Sequence, residues 1–425
     1  MTSTRFVSPK GFPEYLPAQI AAFNHLKNTV YNTYRTYGFE YIETPAVEYL
    51  DTLASSGDIS KEIYAITRAK GEGSGSSGER ALRFDLTTPF ARYVAEHQGH
   101  LTFPFRRFQI DRVWRGERPQ KGRYRELYQA DVDIVAKDSL PLYHDVEVLE
   151  VIAGTLDKLD LFDFTIRIND RQFLTKFIQQ FGIALEQVPA AFAIIDKLAK
   201  VPEEVSMQNL IEQCGISQQQ AKDCIEAISK TYSLAEADGL SADFVYIKEG
   251  LDSLNLTRGK IVLDLRIVRG LDYYTGFVYE TTIDGQESYG SISSGGRYAN
   301  LASRFSQQSF PGVGGSIGLS RLFFVLLDCG IINPSSEVDG VYIMLLDAKQ
   351  LSTSRHLAQT LRSKGIVAEH AWEVSKFSKQ IKYADSKAYR WIIICEEDGS
   401  YTLKNLSTKE QFKSLSTNRL LELLE

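Results

Sequence analysis

Apolar and polar residues alternate with period two along Phe105–Val135, long enough to define two strands and the charged loop between them. On the first strand Phe108, Ile110 and Trp114 share one parity, while Arg107, Gln109, Asp111 and Arg115 share the other. On the second, Tyr128, Val132 and Ile134 alternate against Leu127, Gln129, Asp131 and Asp133. Successive strand side chains point to opposite faces, so this hairpin carries one apolar face and one polar face. In an antiparallel sheet a polar face ordinarily turns to water. Two readings therefore stand together. One is a solvated hairpin whose surface ion pairs are worth ~0–1 kcal/mol each. The other is a ligand site in which Arg115, Arg118, Lys121, Arg123 and Arg125 face Gln129, Asp131 and Asp133. Cations near a few fixed acceptors suit a ligand with phosphate at one end and a polar amine at the other.

Elsewhere the spacing changes. Ile20, Phe23, Leu26 and Val30 predict an amphipathic helix after Pro17, with Gly38 at its C-cap. A strand, FEYIETP, follows and is stopped by Pro45. Lys61–Arg83 reads as two strands around a flexible tip, GEGSGSSG. Asp85 and Thr87 lie two apart on a strand end before Pro89 opens a helix. A carboxylate and a hydroxyl there suit an ammonium group, and a helix N-cap accounts for them equally well. Val146, Leu149, Ile152, Leu156 and Leu159 mark a helix over Tyr143–Leu159, and the strand FTIRIND follows. From Arg171 to about Arg258 helical spacing dominates and strand patterns fade, which predicts a helical insertion.

Strands then resume. Ile261, Leu263, Leu265 and Ile267 alternate, and Arg269 falls on their parity at the strand's end, where a cation is costly unless it meets an anion. Tyr273 and Tyr274 follow, and the glycine-rich GSISSGGRY carries Arg297 and Tyr298. Gly312, Gly314, Gly315 and Gly318 precede a helix with Leu319, Leu322, Phe323 and Leu326 on its apolar face. Arg321 sits near its first turn, where a cation opposes the helix dipole and an anionic ligand is the better account. The last ninety or so residues alternate strand and helix, which predicts a small α/β domain with a mostly parallel sheet. Lys376, Lys379, Lys382, Lys387 and Arg390 gather around one of its helices, as a solvated face or an RNA-backbone patch.

Composition narrows the class. The 425 residues allow two or three domains, and 43% hydrophobic with 24% charged is the balance of an ordinary globular protein. A net charge of −6 argues against a uniformly basic nucleic-acid coat and leaves room for a local basic patch. MTSTRFVSPKGFPEY has no signal-peptide core, and no run approaches the ~18–20 apolar residues of a membrane span. Cys214, Cys224, Cys329 and Cys395 show neither CxxC nor zinc spacing, and the six histidines form no HExxH. The expectation is a cytoplasmic protein with reduced thiols, no membrane, and no metal ligated by a recognisable protein motif.

Together these segments resemble a class II aminoacyl-tRNA synthetase over essentially the whole chain, and within that class the histidyl-tRNA synthetase family. GFEYIETPAVE resembles motif 1, FQIDRVWRGERPQKGRYRELYQADVD motif 2, and GVGGSIGLSRL motif 3. RGLDYYTGFVYE and SSGGRY resemble the two histidine-specific signatures. Ser320 stands where a glutamate commonly precedes the motif 3 arginine, and Ala299 where an aspartate usually follows GGRY. The resemblance implies an α+β fold: a catalytic domain over 1–330 with an antiparallel sheet flanked by helices, a helical insertion at 171–258, and an anticodon-binding α/β domain over 336–425.

It also implies an activity, histidine–tRNA ligation. Histidine would react with ATP to give histidyl-adenylate and pyrophosphate, and would then pass to the 3′ end of tRNA(His). Arg115 and Arg269 would carry the chemistry at the α-phosphate, and Arg115, Arg123 and Arg321 would bind ATP, with Mg2+ assisting. Asp85, Leu86, Thr87, Arg115, Gln129, Asp133, Arg269, Tyr273 and Tyr274 would form the histidine site, with Asp133 and Tyr274 reading the imidazole nitrogens. Gln120 would meet the tRNA acceptor end. A homodimer is implied by motif 1. The alternative is a catalytically silent paralogue that regulates ATP phosphoribosyltransferase; such proteins erode the histidine signatures and usually lack the C-terminal domain.

Overall fold

The alternating hairpin lies inside a nine-stranded sheet. In sheet order its strands are Glu40–Tyr41, Phe105–Trp114, Glu126–Val135, Gly312–Ile317, Ser293–Tyr298, Tyr274–Ile283, Phe164–Asp170, Gly259–Asp264 and Thr231–Ser233. The central six run antiparallel, while Glu40–Tyr41 and Gly259–Asp264 join parallel to their neighbours. The computed structural model describes residues 7–54, 62–67, 78–198, 201–233, 245–252, 254–268, 274–334 and 338–424. The chain forms two units, one of 1–14 with 23–333 and one of 15–22 with 334–425.

The apolar hairpin face is covered as its pattern demands. Tyr31 and Tyr34 from the Pro17–Thr36 helix pack edge-on against Phe108, with ring centroids 5.2 and 5.6 Å apart. Phe23 bridges Tyr128 and Phe323, which brings the Leu319–Asp328 helix onto the same face. Phe108, Val132 and Ile134 are fully buried there, each stabilising by about 1.5–3 kcal/mol.

The polar face does not meet water. Arg107, Gln109, Asp131 and Asp133 are all buried, which overturns the solvated reading for this part of the hairpin. The Arg80–Leu82 strand, the turn after it and the Thr87–His97 helix cover it. Arg83 bonds the carbonyls of Thr44 and Arg112 and pairs with Asp111 at 2.6 Å, and Phe90 lies under the Arg107 guanidinium. Alternation reported polarity correctly; it carried no information about what lay on top.

Three further expectations change. Thr87 is not on a strand beside Asp85 but opens the helix, whose Thr88 amide and hydroxyl both donate to the Asp85 carboxylate. The strand expected through Ile267 ends at Asp264, because that carboxylate accepts from the Arg266 backbone and guanidinium and turns the chain. The helical insertion also contributes a strand, Thr231–Ser233, which pairs antiparallel with Gly259–Asp264 at the sheet's edge. The tip GEGSGSSG lies almost wholly outside the described residues, as do Arg269 and Tyr273.

The second unit holds a five-stranded sheet in the order Val367–His370, Val338–Met344, Tyr389–Cys395, Tyr401–Asn405, Gln411–Leu415. The first three are parallel and the last two antiparallel, so the mostly parallel expectation holds for only half of it. Gln411–Leu415 is an edge strand with little apolar content, which is why its pattern was silent. Val341, Ile343, Ile393 and Leu403 fill one face, and Tyr342, Met344 and Ile392 the other.

Candidate functional site

A cavity of about 330 Å³ opens on the polar face of the nine-stranded sheet. Asp85, Thr87, Arg115, Arg123, Gln129, Asp133, Tyr274 and Arg321, all singled out in the sequence, line it. Leu86 is fully buried and serves as the N-cap position of the helix without lining the cavity. Gln120 is exposed at the turn of the hairpin loop, where it exchanges backbone hydrogen bonds with Arg123. Arg118 and Lys121 face solvent, and Arg125 turns away to donate to the Glu117 carbonyl at 3.1 Å, so the cationic set is smaller than expected.

The lining is a connected polar network. Arg115 anchors to the Phe84 carbonyl through Nε and donates from Nη2 to Gln129 Oε1 at 3.1 Å. Gln129 Nε2 donates onward to Ser316 Oγ at 2.9 Å, and the hydroxyls of Ser316 and Thr87 bond Asp131. Tyr298 donates to Asp133 Oδ1 at 3.2 Å, while Arg107 Nη2 lies 2.6 Å from Asp133 Oδ2. Strand register aligns this: Arg107 faces Asp133 and Asp133 faces Gly314. A Cβ at Gly314 would overlap the Asp133 carboxylate, so the glycine makes room for the acid. Beneath the loop, the Tyr128 amide donates to Ser320 Oγ at 2.8 Å and fastens the hairpin to the Leu319–Asp328 helix.

Electrostatically the lining divides in two. Burial pushes Asp133 up to about 7 and Asp85 up to about 6, and raises Asp131. Arg107 opposes the shift at Asp133 and Asp131, the Thr88 hydrogen bonds oppose it at Asp85, Asp131 raises both Asp85 and Asp133, and Asp85 raises Asp133. At the other side, Arg321 is held below the usual arginine range, first by burial and then by the charges of Arg123 and Arg115. Three mutually repelling guanidinium groups share one cavity, only partly offset by Glu117, 3.5 Å from Arg123, and by Glu280, a field that suits an anion. Arg115 belongs to both halves. A ligand with a cationic group at one end, phosphates at the other and a carboxylate between fits this field.

Several lining or supporting residues escaped the sequence reading. Asp131 was named among the acceptors of the hairpin but given no role of its own, and Arg107 was recognised only as part of a polar face. Ser316 was hidden among glycines. Glu280 lies mid-strand; its carboxyl is pushed up by burial and by Asp196 and Asp264, with Arg167 and Arg321 opposing. Arg297, flagged with Tyr298, proves structural: it grips Asp145 at 2.9 Å and the carbonyls of Leu140 and Pro141. Among the described residues no group of three or more His, Cys, Asp or Glu side chains is suited to hold a metal ion, and no helix is long and apolar enough to cross a membrane.

Known proteins are similar to this chain over nearly its whole length. The histidyl-tRNA synthetase family profile matches residues 11–322, and an anticodon-binding-domain profile matches residues 340–425. A histidine–tRNA ligase of Thermobifida fusca is 39% identical over 437 aligned positions, covering 97% of this chain and 98% of its own. One from Micrococcus luteus is 41% identical, covering 96% and 94%. The crystal structure of histidyl-tRNA synthetase from a Nostoc species superposes with a TM-score of 0.85 at 34% identity, covering 99% of this chain and 98% of that one. Both units, and the sheet with its cavity, fall inside these matches. The chain belongs to the histidyl-tRNA synthetase family.

Proposed function

We propose that the cavity activates histidine with ATP and transfers it to tRNA(His), and that the residues divide the work as the two halves of its field suggest. The observation that carries this reading is the relay from Arg115 through Gln129 and Ser316 to Asp131, which joins a cationic half to an acidic half. The substrate ammonium meets Asp85, Thr87 and Gln129. The imidazole lies between Asp133 and Tyr274, one accepting and one donating, and the family motif assigns Tyr273 to the same recognition. A site built around both ring nitrogens rejects side chains lacking them by about 10⁴–10⁵-fold, far beyond an apolar pocket. Leu86 sets the backbone between Asp85 and Thr87.

Arg115 and Arg269 hold the α-phosphate against the substrate carboxylate, and Arg123 and Arg321 take the terminal phosphates. A histidine carboxylate oxygen attacks the α-phosphorus in line, and the bond to pyrophosphate breaks. The chemistry is then mostly positioning and charge stabilisation. A hard divalent cation such as Mg2+ takes carboxylate and phosphate oxygens, and the half-buried Glu280, whose charge is felt with that of Arg321, would help to hold it. Bound there, the cation would neutralise phosphate charge. In the second step a 3′-terminal ribose hydroxyl of the tRNA attacks the acyl carbon and AMP leaves, with Gln120 meeting the acceptor end.

The C-terminal unit, 336–425, is assigned to the anticodon. Exposed Lys376, Lys379, Lys382 and Arg390 support it, as does exposed Trp372, stacked on His370 and overlaid by Arg355. A homodimer is supported by the exposed apolar Val47, Tyr49 and Ile66 of the small sheet that also holds Arg80–Leu82. Histidine-dependent ATP–pyrophosphate exchange tests the reading. Exchange with histidine alone among amino acids is expected, and its absence from folded protein would turn attention to the regulatory paralogue.

A further inference from the structure

Behind the acidic half stands an arginine with no part in either step of the reaction. Arg107 is fully buried, with its guanidinium lying over the Phe90 ring at 4.1 Å from the centroid. Its Nη2 is 2.6 Å from Asp133 Oδ2, yet none of its three nitrogens makes a well-directed hydrogen bond. It does not line the cavity. A desolvated cation without hydrogen bonds is destabilising, and an apolar residue of similar volume would serve packing better. What Arg107 does supply is positive charge directly behind an acid that lines the cavity.

We propose that Arg107 is a positioning residue for histidine recognition, acting through Asp133: its charge keeps that carboxylate an anionic acceptor aimed at an imidazole N–H. The inference rests on the reading that Asp133 meets the imidazole. A protonated Asp133 would present a donor on one oxygen and mismatch the ring. The groups around Asp133 create the need for such a cation. Asp131 on its own strand and Asp85 before the Thr87–His97 helix both raise it, and Tyr298 bonds it. Tyr279 and Tyr34 feel its charge from the opposite side of the sheet. Arg107 is the cation that opposes the two acids.

The test is histidine-dependent exchange by the full chain between pH 6 and 8.5, comparing Arg107→Met, Arg107→Lys, Asp133→Asn and the double variant Arg107→Met/Asp133→Asn. Arg107→Met is expected to raise the histidine KM about tenfold at pH 7, and to move the inflection of log KM upward by about one pH unit, with the ATP KM unchanged. Arg107→Lys recovers most of the loss. The double variant, which leaves no uncompensated charge, has the histidine KM of Asp133→Asn alone. An unmoved inflection in Arg107→Met overturns the proposal. So does a double variant whose losses add, and that arm survives if Arg107→Met alone does not fold. A normal histidine KM in Asp133→Asn would remove the imidazole assignment itself. A defective Asp133→Asn with a normal Arg107→Met removes only the role of Arg107.

Discussion

The two large sheets of this chain bury their faces on opposite terms. In the C-terminal sheet both parities are apolar, with Val341, Ile343 and Leu403 on one side and Tyr342, Met344 and Ile392 on the other. In the nine-stranded sheet one face is equally apolar, while the other buries Arg107, Gln109, Asp131 and Asp133. Burying an ion pair costs several kcal/mol of desolvation per charge, and its mutual attraction only sometimes offsets that. A sheet meant only to hold a domain together has no use for such a face. The difference marks the nine-stranded sheet as the one that buries charge, beside the cavity proposed above as the active site. It also predicts that damage to the two sheets will separate, chemistry failing in one case and stability in the other.

The largest effect should come from Arg115, which serves both halves of the cavity. Arg115→Ala removes the donor to Gln129 and the cation proposed to meet the α-phosphate. Exchange should fall by about 10³-fold, or ~4 kcal/mol of transition-state stabilisation, as for loss of a preorganised donor at developing charge. Thermal stability should change far less. A pyrophosphate-exchange rate within tenfold of the parent would place the chemistry elsewhere.

Leu403→Ala tests the other sheet. Leu403 is fully buried among Val341, Ile393 and Leu420, so truncation should cost about 2–5 kcal/mol of that unit's stability. Exchange without tRNA should persist at temperatures where the unit remains folded. A matching loss of exchange under those conditions would contradict the separation.

Protonation gives a smaller effect with a definite sign. Asp85 and Asp133 have folded pKa values raised to about 6 and about 7, above the ordinary carboxylate value. Their contribution to stability is therefore fully present near pH 4 and is lost as pH rises through 6 and 7. Burial makes these acids resist ionisation, and a substrate ammonium held as proposed above would favour it. Histidine affinity should weaken roughly tenfold per unit as pH falls below about 6–7, with proton release on binding near pH 6.5. Calorimetry in buffers of different ionisation enthalpy measures that release, and zero release would show the acids already ionised.

What the sequence made legible follows from these contrasts. Period and parity located the hairpin, the flanking helices and the C-terminal alternation, because each is a local consequence of one buried stripe. Asp85, Gln129, Asp133 and Arg321 were legible because charge sat where a local rule disfavoured it or where the family motifs placed it. Arg107 was visible only as polar parity, and Asp131 only as one acceptor among three without a role. Their burial depends on Phe90 and the Thr87–His97 helix arriving from elsewhere in the chain. Ser316 and Glu280 had no local signature, since register across strands, not spacing along one, brings them to the cavity. The strand Gln411–Leu415 was silent for the opposite reason, an edge with too few apolar positions to leave a pattern.

The smallest effect concerns the surface of the apolar-filled unit. Lys376, Lys379 and Lys382 are all exposed around the Phe377–Ser386 helix, so replacing one removes no packing. Lys379→Ala should leave the melting temperature and histidine-dependent exchange unchanged. If the lysine meets an RNA phosphate, aminoacylation should show a tRNA KM raised a few-fold at low salt. The slope of log KM against log salt should also flatten by about 0.7–0.9 for each phosphate no longer neutralised. A purely solvated face would leave both the KM and the slope at their parental values. Because core and patch share one small unit, Leu403→Ala and Lys379→Ala together tell whether its apolar interior exists to display that charge: the first should impair tRNA charging only through unfolding, the second only through salt-dependent binding.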